Sequence, residues 1–194
     1  MPAHFTKEQQ EEIRIRLFEA GIALSKTVGI RKMTVSKLTS ECSIAKGSFY
    51  NFYESKEAFI LELFEYTSSK IQEMLLKKLN GRSQMTVHEF FELFREYLDS
   101  GYDIMTNGTV EDYFWIKKNM SSDIKFNSDS TKETLAHFFR FISDLREDYD
   151  KGVVINLVKA VYALKEHRET MCVESLDESI DMIFSMLEDY LVKK

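Results

Sequence analysis

The stretch TVSKLTSECSIAKGSFYNFYESKE, residues 34–57, decides how the rest of the chain is read. It has the pattern of two short helices around a tight turn. Val35 and Leu38, with Ile44 and Phe49 beyond the turn, can bury against a preceding helix. Ser36, Lys37, Lys46, Ser48, Tyr50 and Asn51 are left outside. One cation, a hydroxyl, a phenol and an amide then lie within about one helical turn, the chemistry a helix needs to enter a DNA major groove and hold phosphates on either side. Lys46 supplies charge for a phosphate or a guanine edge. Gly47 removes a side chain where the backbone must come close to a partner. Tyr50 can pack its ring locally and still offer its hydroxyl. Lys56, at the head of the next helix, adds a further phosphate contact, each such contact steepening the salt dependence of binding by about 0.9.

Outward from this stretch the chain reads as all-α. A single proline, Pro2, and seven glycines leave few breakers in 194 residues. Ser or Thr followed three residues later by Glu or Gln marks a helix start, and Thr6…Gln9, Thr86…Glu89, Ser130…Glu133 and Ser175…Glu178 all fit. Thr34 and Ser55 are simple N-caps. About nine helices follow from apolar spacing, at roughly 7–28, 34–41, 45–52, 55–79, 87–105, 109–119, 131–149, 152–167 and 176–192. Gly29 stops the first, and Asn80-Gly81 the fourth. The fourth, about 37 Å long at 1.5 Å per residue, is long enough to leave one domain and enter another. Residues 121–130 form the polar, loop-like stretch.

Charge is divided unevenly. Residues 1–56 hold nine Lys/Arg and six Asp/Glu, a balance of +3, whereas residues 57–194 hold 17 and 26, a balance of -9. A basic end on an acidic body suits a nucleic-acid-facing module. The two cysteines, Cys42 and Cys172, are far apart and have no metal-type spacing, so both read as free thiols in a reducing, cytoplasmic setting. No apolar run reaches membrane-spanning length, and MPAHFTKEQQEE is acidic where a signal peptide would be basic.

Several of these residues together resemble the tetracycline-repressor (TetR) family of bacterial helix-turn-helix transcriptional regulators. They are Gly29 after the first helix, Thr34 leading the second, Lys46-Gly47-Ser48-Phe49-Tyr50-Asn51-Phe52-Tyr53, and Ser55-Lys56-Glu57. The resemblance covers about residues 7–66. It implies a helix-turn-helix domain over residues 1–56 (motif about 34–53) continuing into helix 4 at 55–79, and a ligand-binding and dimerisation domain over 80–194. It implies DNA contacts from Thr34, Ser36, Lys37, Ala45, Lys46, Gly47, Ser48, Tyr50, Asn51 and Lys56. The expected partners are a palindromic double-stranded operator, a second copy of the chain and a small apolar effector that releases repression, with no cofactor. Three positions depart from the family pattern. Ser43 stands at a usual turn glycine, Ala45 at a usual Ser or Thr cap, and Asn51 at a frequent His.

The body offers support of its own for an interface. Leu157, Val158 and Val161 on the eighth helix, and Ile180, Ile183, Phe184 and Leu187 on the ninth, belong to stripes broad enough to need burial on more than one side. A four-helix bundle shared by two subunits would cover them, as would a buried helix pair within one subunit. Phe90, Phe91, Phe94, Tyr97, Tyr102, Met105, Tyr113, Phe114, Trp115, Phe138, Phe139 and Phe141 can line an apolar pocket or fill a core. Tyr102, Tyr113 and Trp115 are the preferred ligand contacts, because each adds a polar atom. His88 and Glu92 share a face at the i, i+4 spacing of paired metal ligands, but no further His or Cys clusters with them in sequence, so no metal site is assigned. Nothing resembles a nucleophile motif or a phosphate-binding glycine loop, which argues against an enzyme. A helical carrier of apolar molecules is the alternative, and it leaves Lys46–Lys56 without a purpose.

Overall fold

The structure, a computed structural model, describes residues 6–104, 109–120 and 128–193. Among these, nine α-helices follow one another: α1 (Lys7–Thr27), α2 (Val35–Glu41), α3 (Lys46–Phe49), α4 (Lys56–Leu79), α5 (Val87–Ser100), α6 (Val110–Asn119), α7 (Ser128–Phe139), α8 (Lys151–Glu166) and α9 (Leu176–Leu191). Extended pairing among the described residues is limited to two isolated bridges, Met85 with Ile142 and Leu145 with Val192. The residues group into two compact units: Met1–Lys70 with Gly101–Ile124, and Ile71–Ser100 with Lys125–Lys194.

Helix starts follow the caps. Thr6 and Gln9 bond reciprocally, Gln9 N–H donating to Thr6 Oγ1 at 3.2 Å and Thr6 N–H to Gln9 Oε1 at 2.9 Å. Thr86 and Glu89 do the same at 3.1 and 2.8 Å. Thr34 accepts from Lys37 N–H and Ser55 from Ala58 N–H. Two expected caps differ. Helix α7 already begins at Ser128, so Ser130 lies inside it, and Ser175 precedes α9 without a side-chain hydrogen bond. Of the loop expected over 121–130, residues 121–127 fall outside the described residues, while Ser128, Asp129 and Ser130 are the first residues of α7 and not loop.

In the first unit, α1 and α2 bury Leu17, Phe18, Leu24 and Leu38, α3 buries Phe49, and α4 buries Phe59, Ile60 and Leu63, the Phe18 and Phe59 rings stacking 6.1 Å apart. Phe49 is fully buried, its ring 5.3 Å from that of Tyr53 and 5.8 Å from that of Phe59. Arg14 on α1 reaches Glu62 on α4 at 3.0 Å, and the Arg16 guanidinium donates to the Cys42 carbonyl. The turn between α2 and α3 closes by two backbone bonds, Ser43 N–H to Ser40 O and Ile44 N–H to Thr39 O. This Schellman arrangement needs a left-handed residue at its centre, and Ser43 takes that conformation at φ 53.

In the second unit, α5, α7, α8 and α9 enclose a core of Val87, Phe91, Leu98, Phe139, Val154, Val161, Ile180, Phe184 and Leu187. Two elements are shorter than their apolar spacing predicts. Helix α5 ends at Ser100, because Gly101 follows in the left-handed region at φ 77, as a helix stop should. Helix α7 ends at Phe139 and not near 149, because residues 141–146 spend their backbone groups elsewhere. Met85 N–H donates to Phe141 O and Ser143 N–H to Met85 O, while Arg146 N–H donates to Leu191 O and Lys193 N–H to Asp144 O. Asp144 also caps α5 at Val87 N–H, 2.7 Å away.

Two stability effects follow. Ser43→Gly relieves a left-handed cost of about 1–2 kcal/mol and loses part of it to a freer unfolded chain, for a net gain of roughly 0.5–1 kcal/mol. Urea unfolding should show a higher midpoint at unchanged slope. Glu89 is gripped by Arg82 through two bonds of 2.8 and 3.2 Å. Those bonds, with the Thr86 N–H, hold its carboxyl at about 2 against an ordinary 4.5. A lowered folded-state value adds stability that is complete above the unfolded value and is lost as the carboxylate protonates. The stability difference between wild type and Glu89→Gln should therefore be full near neutrality and shrink as pH falls from 4.5 towards about 2.

Candidate nucleic-acid interface

Every residue expected to contact DNA lies in the first unit, on α2, on α3 with its flanks, or at the head of α4. Ser36, Lys37, Lys46, Gly47, Tyr50 and Asn51 are exposed, while Val35, Leu38 and Phe49 beneath them are buried. Thr34 is exposed too, but its hydroxyl is engaged as the cap of α2. Ala45 begins α3 without a side-chain cap. Ser48 is half-buried, and its carbonyl accepts from Asn51 N–H at 3.2 Å. The Tyr50 ring stands nearly perpendicular to that of Phe49, centroids 5.5 Å apart, and Tyr50 remains 52% exposed.

Gly47, inside α3, differs from the turn glycines Gly29, Gly81 and Gly101. Its φ is not left-handed, and a Cβ built there would meet nothing within 4 Å. Neither backbone conformation nor internal packing calls for a glycine at this exposed position.

Lys56 is placed differently from its neighbours. It is half-buried, its Nζ donating to the Arg31 carbonyl at 2.8 Å and standing 4.2 Å from the centre of the Trp115 ring. Burial pushes the pKa of this ammonium down, against the smaller opposing pull of Glu57 and Asp112. Sequence spacing gave no sign of this, nor of the bond between Asp112 and Arg31. The Asp112 carboxylate is 2% exposed and accepts from Arg31 N–H at 2.6 Å, across 81 residues of chain. Its other oxygen accepts from Thr109 N–H at 2.9 Å in a capping box that starts α6. Gly29, read in sequence as a helix stop, has φ 81, and a Cβ there would lie 2.5 Å from Asp112 Oδ2. The signal open to a reader was Thr109-x-x-Asp112, a cap written with Asp in place of Glu.

The expected ligand contacts Tyr102, Tyr113 and Trp115 are all half-buried in this same unit. Tyr113 meets Phe114 edge-on at 5.8 Å, and Trp115 seats Lys56. Most of the remaining aromatics go elsewhere. Phe90, Phe91, Phe94 and Phe139 pack with Phe184 in the core of the second unit, while Phe138 and Phe141 pack around Leu75, Leu79, Met85 and Leu93. Met105 lies outside the described residues.

Of the seven residues expected at a subunit interface, Val161, Ile180, Phe184 and Leu187 are buried within this one chain and have almost no surface left to offer. Their side chains close the core between α5, α8 and α9. Leu157, Val158 and Ile183 are half-buried, and Val153, Met182 and Met186, at 41, 64 and 57% exposure, continue the apolar surface outward. His88 is tied to Glu188 at 2.9 Å, and Glu92 to Lys78 at 2.9 Å. Among the described residues no group of three or more His, Cys, Asp or Glu is placed to hold a metal ion, and no helix is long and apolar enough to cross a membrane.

Comparison with known proteins meets this geometry at the same residues. Positions 17–63 match the sequence profile of the bacterial regulatory proteins, tetR family. An uncharacterized HTH-type transcriptional regulator of Bacillus subtilis, YerO, is 27% identical over 148 residues, 69% of this chain and 51% of that protein. The HTH-type transcriptional repressor DhaR of a Mycobacterium species is 30% identical over 102 residues, 51% of this chain and 52% of its own. The chain thus spans about half the length of these curated relatives. Among solved structures, a gamma-butyrolactone receptor (an ArpA-like protein) superposes with a TM-score of 0.59 over 94% of this chain and 89% of that one, at 17% identity, a likeness of fold. The helix-turn-helix of α2 and α3 lies inside the matched residues 17–63, so this part of the chain is similar to the tetR family of bacterial regulatory proteins.

Proposed function

We propose that this protein is a cytoplasmic, sequence-specific DNA-binding transcriptional regulator that acts as a homodimer and is released from its operator by a small apolar effector. The exposed glycine at position 47 carries the reading. A glycine that neither packing nor backbone demands fits a surface where another molecule's backbone comes close. Lys46, Tyr50 and Asn51 surround it with groups for phosphates and base edges. Repression is supported by the relative DhaR, named a repressor, and effector control by the shared fold of a gamma-butyrolactone receptor.

In this reading residues 1–56 bind DNA, and residues 80–194 supply the effector site and the dimer contacts. Tyr102, Tyr113 and Trp115 are the polar-tipped aromatics proposed to orient an effector. Helix α4 runs through the division between the two compact units, from Lys56 to Leu79, so a displacement along it reaches the recognition helix. Effector and DNA then oppose each other through a single coupling free energy. Leu157, Val158 and Ile183, extended by Val153, Met182 and Met186, form the proposed dimer face. A twofold dimer places two copies of α3 on the half-sites of a near-palindrome.

Two experiments test the reading. Selection of duplexes from a random library with the wild-type protein yields a probe for anisotropy. Gly47→Ala should leave unfolding unchanged or raise stability by up to about 1 kcal/mol, since alanine is the better helix former, and yet weaken binding. Lys46→Ala with Tyr50→Phe should weaken it further and flatten the salt slope by about 0.9 per lost phosphate contact. Wild-type binding by these variants would remove α3 from the interface. Separately, Met186→Glu and Ile183→Asp should shift the protein from dimer to monomer in sedimentation at micromolar concentration. The exposed Met186 should do so without loss of helicity.

A further inference from the structure

One ammonium cannot fill both positions described for Lys56. The DNA-binding reading sends it to a phosphate, whereas the structure seats it on the Trp115 ring and the Arg31 carbonyl. That seat is built with some care. Asp112 and Trp115 are three residues apart on α6, so they project from one face of the helix. Asp112 takes the N–H of Arg31 while Lys56 donates to the C=O of the same residue. Arg31 is thereby gripped through both of its backbone polar groups by side chains from α6 and α4. Thr109 fixes the carboxylate, and the left-handed, side-chain-free Gly29 makes room for it.

We propose that Trp115 competes with DNA for the Lys56 ammonium, so that the docking of α6 on residues 29–31 withholds one phosphate contact and sets the affinity for DNA. The proposal rests on the DNA-binding reading above. A cation over a part-shielded indole face is held more firmly than one over an exposed ring, and Lys56 also donates to the Arg31 carbonyl, so DNA draws the ammonium from this seat only at a cost. A shift of α6 then decides between the two. Trp115 thereby becomes a positioning residue, acting on DNA through Lys56.

The test is a double-mutant cycle with the selected duplex, comparing wild type, Trp115→Ala, Lys56→Met and the double variant by anisotropy at several salt concentrations. Trp115→Ala should bind about 3- to 10-fold more tightly at low salt, the range expected for release of one part-buried cation. The gain should vanish in the Lys56→Met background. No gain, or an equal gain in both backgrounds, overturns the competition. Lys46→Ala is run alongside: if it binds as wild type, or if no duplex is selected, the DNA-binding reading itself falls. Because Trp115 is the single tryptophan in the sequence, its emission in the unaltered protein reads the seat directly. The duplex should change that emission in wild type and not in Lys56→Met, and an unchanged wild-type spectrum would sink the proposal even if Trp115→Ala does not fold.

Discussion

A helix of four residues has no stability of its own, and Lys46–Phe49 exists because of where Phe49 goes. That ring is fully buried among Tyr53 and Phe59. Burying a phenylalanine is worth roughly 1.5–3 kcal/mol, enough to offset the roughly 2 kcal/mol by which Lys, Gly, Ser and Phe together disfavour a helix. Everything exposed on α3 depends on this inward anchor. Lys46, Gly47, Tyr50 and Asn51 are free to be chosen for an external partner because they contribute little to holding the helix down. The polar outer surface and the aromatic inner one are two sides of a single division of labour within about six residues.

The second unit divides its apolar residues less cleanly. Helices α8 and α9 carry stripes too broad for one contact, and their inner halves, around Val161, Ile180, Phe184 and Leu187, close the subunit's own core. The outer halves, around Val158, Ile183 and Met186, stay partly or largely exposed and form the proposed dimer face. Methionine at two exposed positions, Met182 and Met186, suits the proposed dimer face, since an unbranched thioether adapts to whatever shape it meets. Most of the aromatics that looked available for a pocket are already in contact with one another, Phe90 with Phe91 and Phe139, and Phe94 with Phe184.

What could be read from the sequence was what is local. The caps at Thr6, Thr34, Ser55 and Thr86 each act within three residues, and each stands where the residue pattern put it. The strained turn at Ser43 was visible because a serine occupied a position that resemblance assigns to glycine. What escaped was set by partners far away in the chain. Helix α7 stops at Phe139 because residues 141–146 bond to residue 85 and to residues 191–193, and periodicity carries no trace of such partners. Gly101 was a legible stop that apolar spacing overrode. A broad stripe likewise says how much surface must be covered, but not which half faces inward. The cap formed by Thr109 and Asp112 was legible, but the bond from Arg31 to Asp112 and the seat of Lys56 were beyond reach for the same reason, since nothing near residue 31 announces a carboxylate 81 residues later.

That distance has a consequence for how the protein is made. A ribosome delivers residues 7–66, the whole helix-turn-helix with its aromatic anchor, well before it delivers α6. During that interval the N–H of Arg31 has no Asp112 and the ammonium of Lys56 has no indole to rest on. The nascent module therefore passes through a stage in which its lysine is uncommitted, and it becomes restrained only when α6 emerges and closes onto it. The order of synthesis puts the helix-turn-helix first and the α6 contacts that hold Arg31 and Lys56 second.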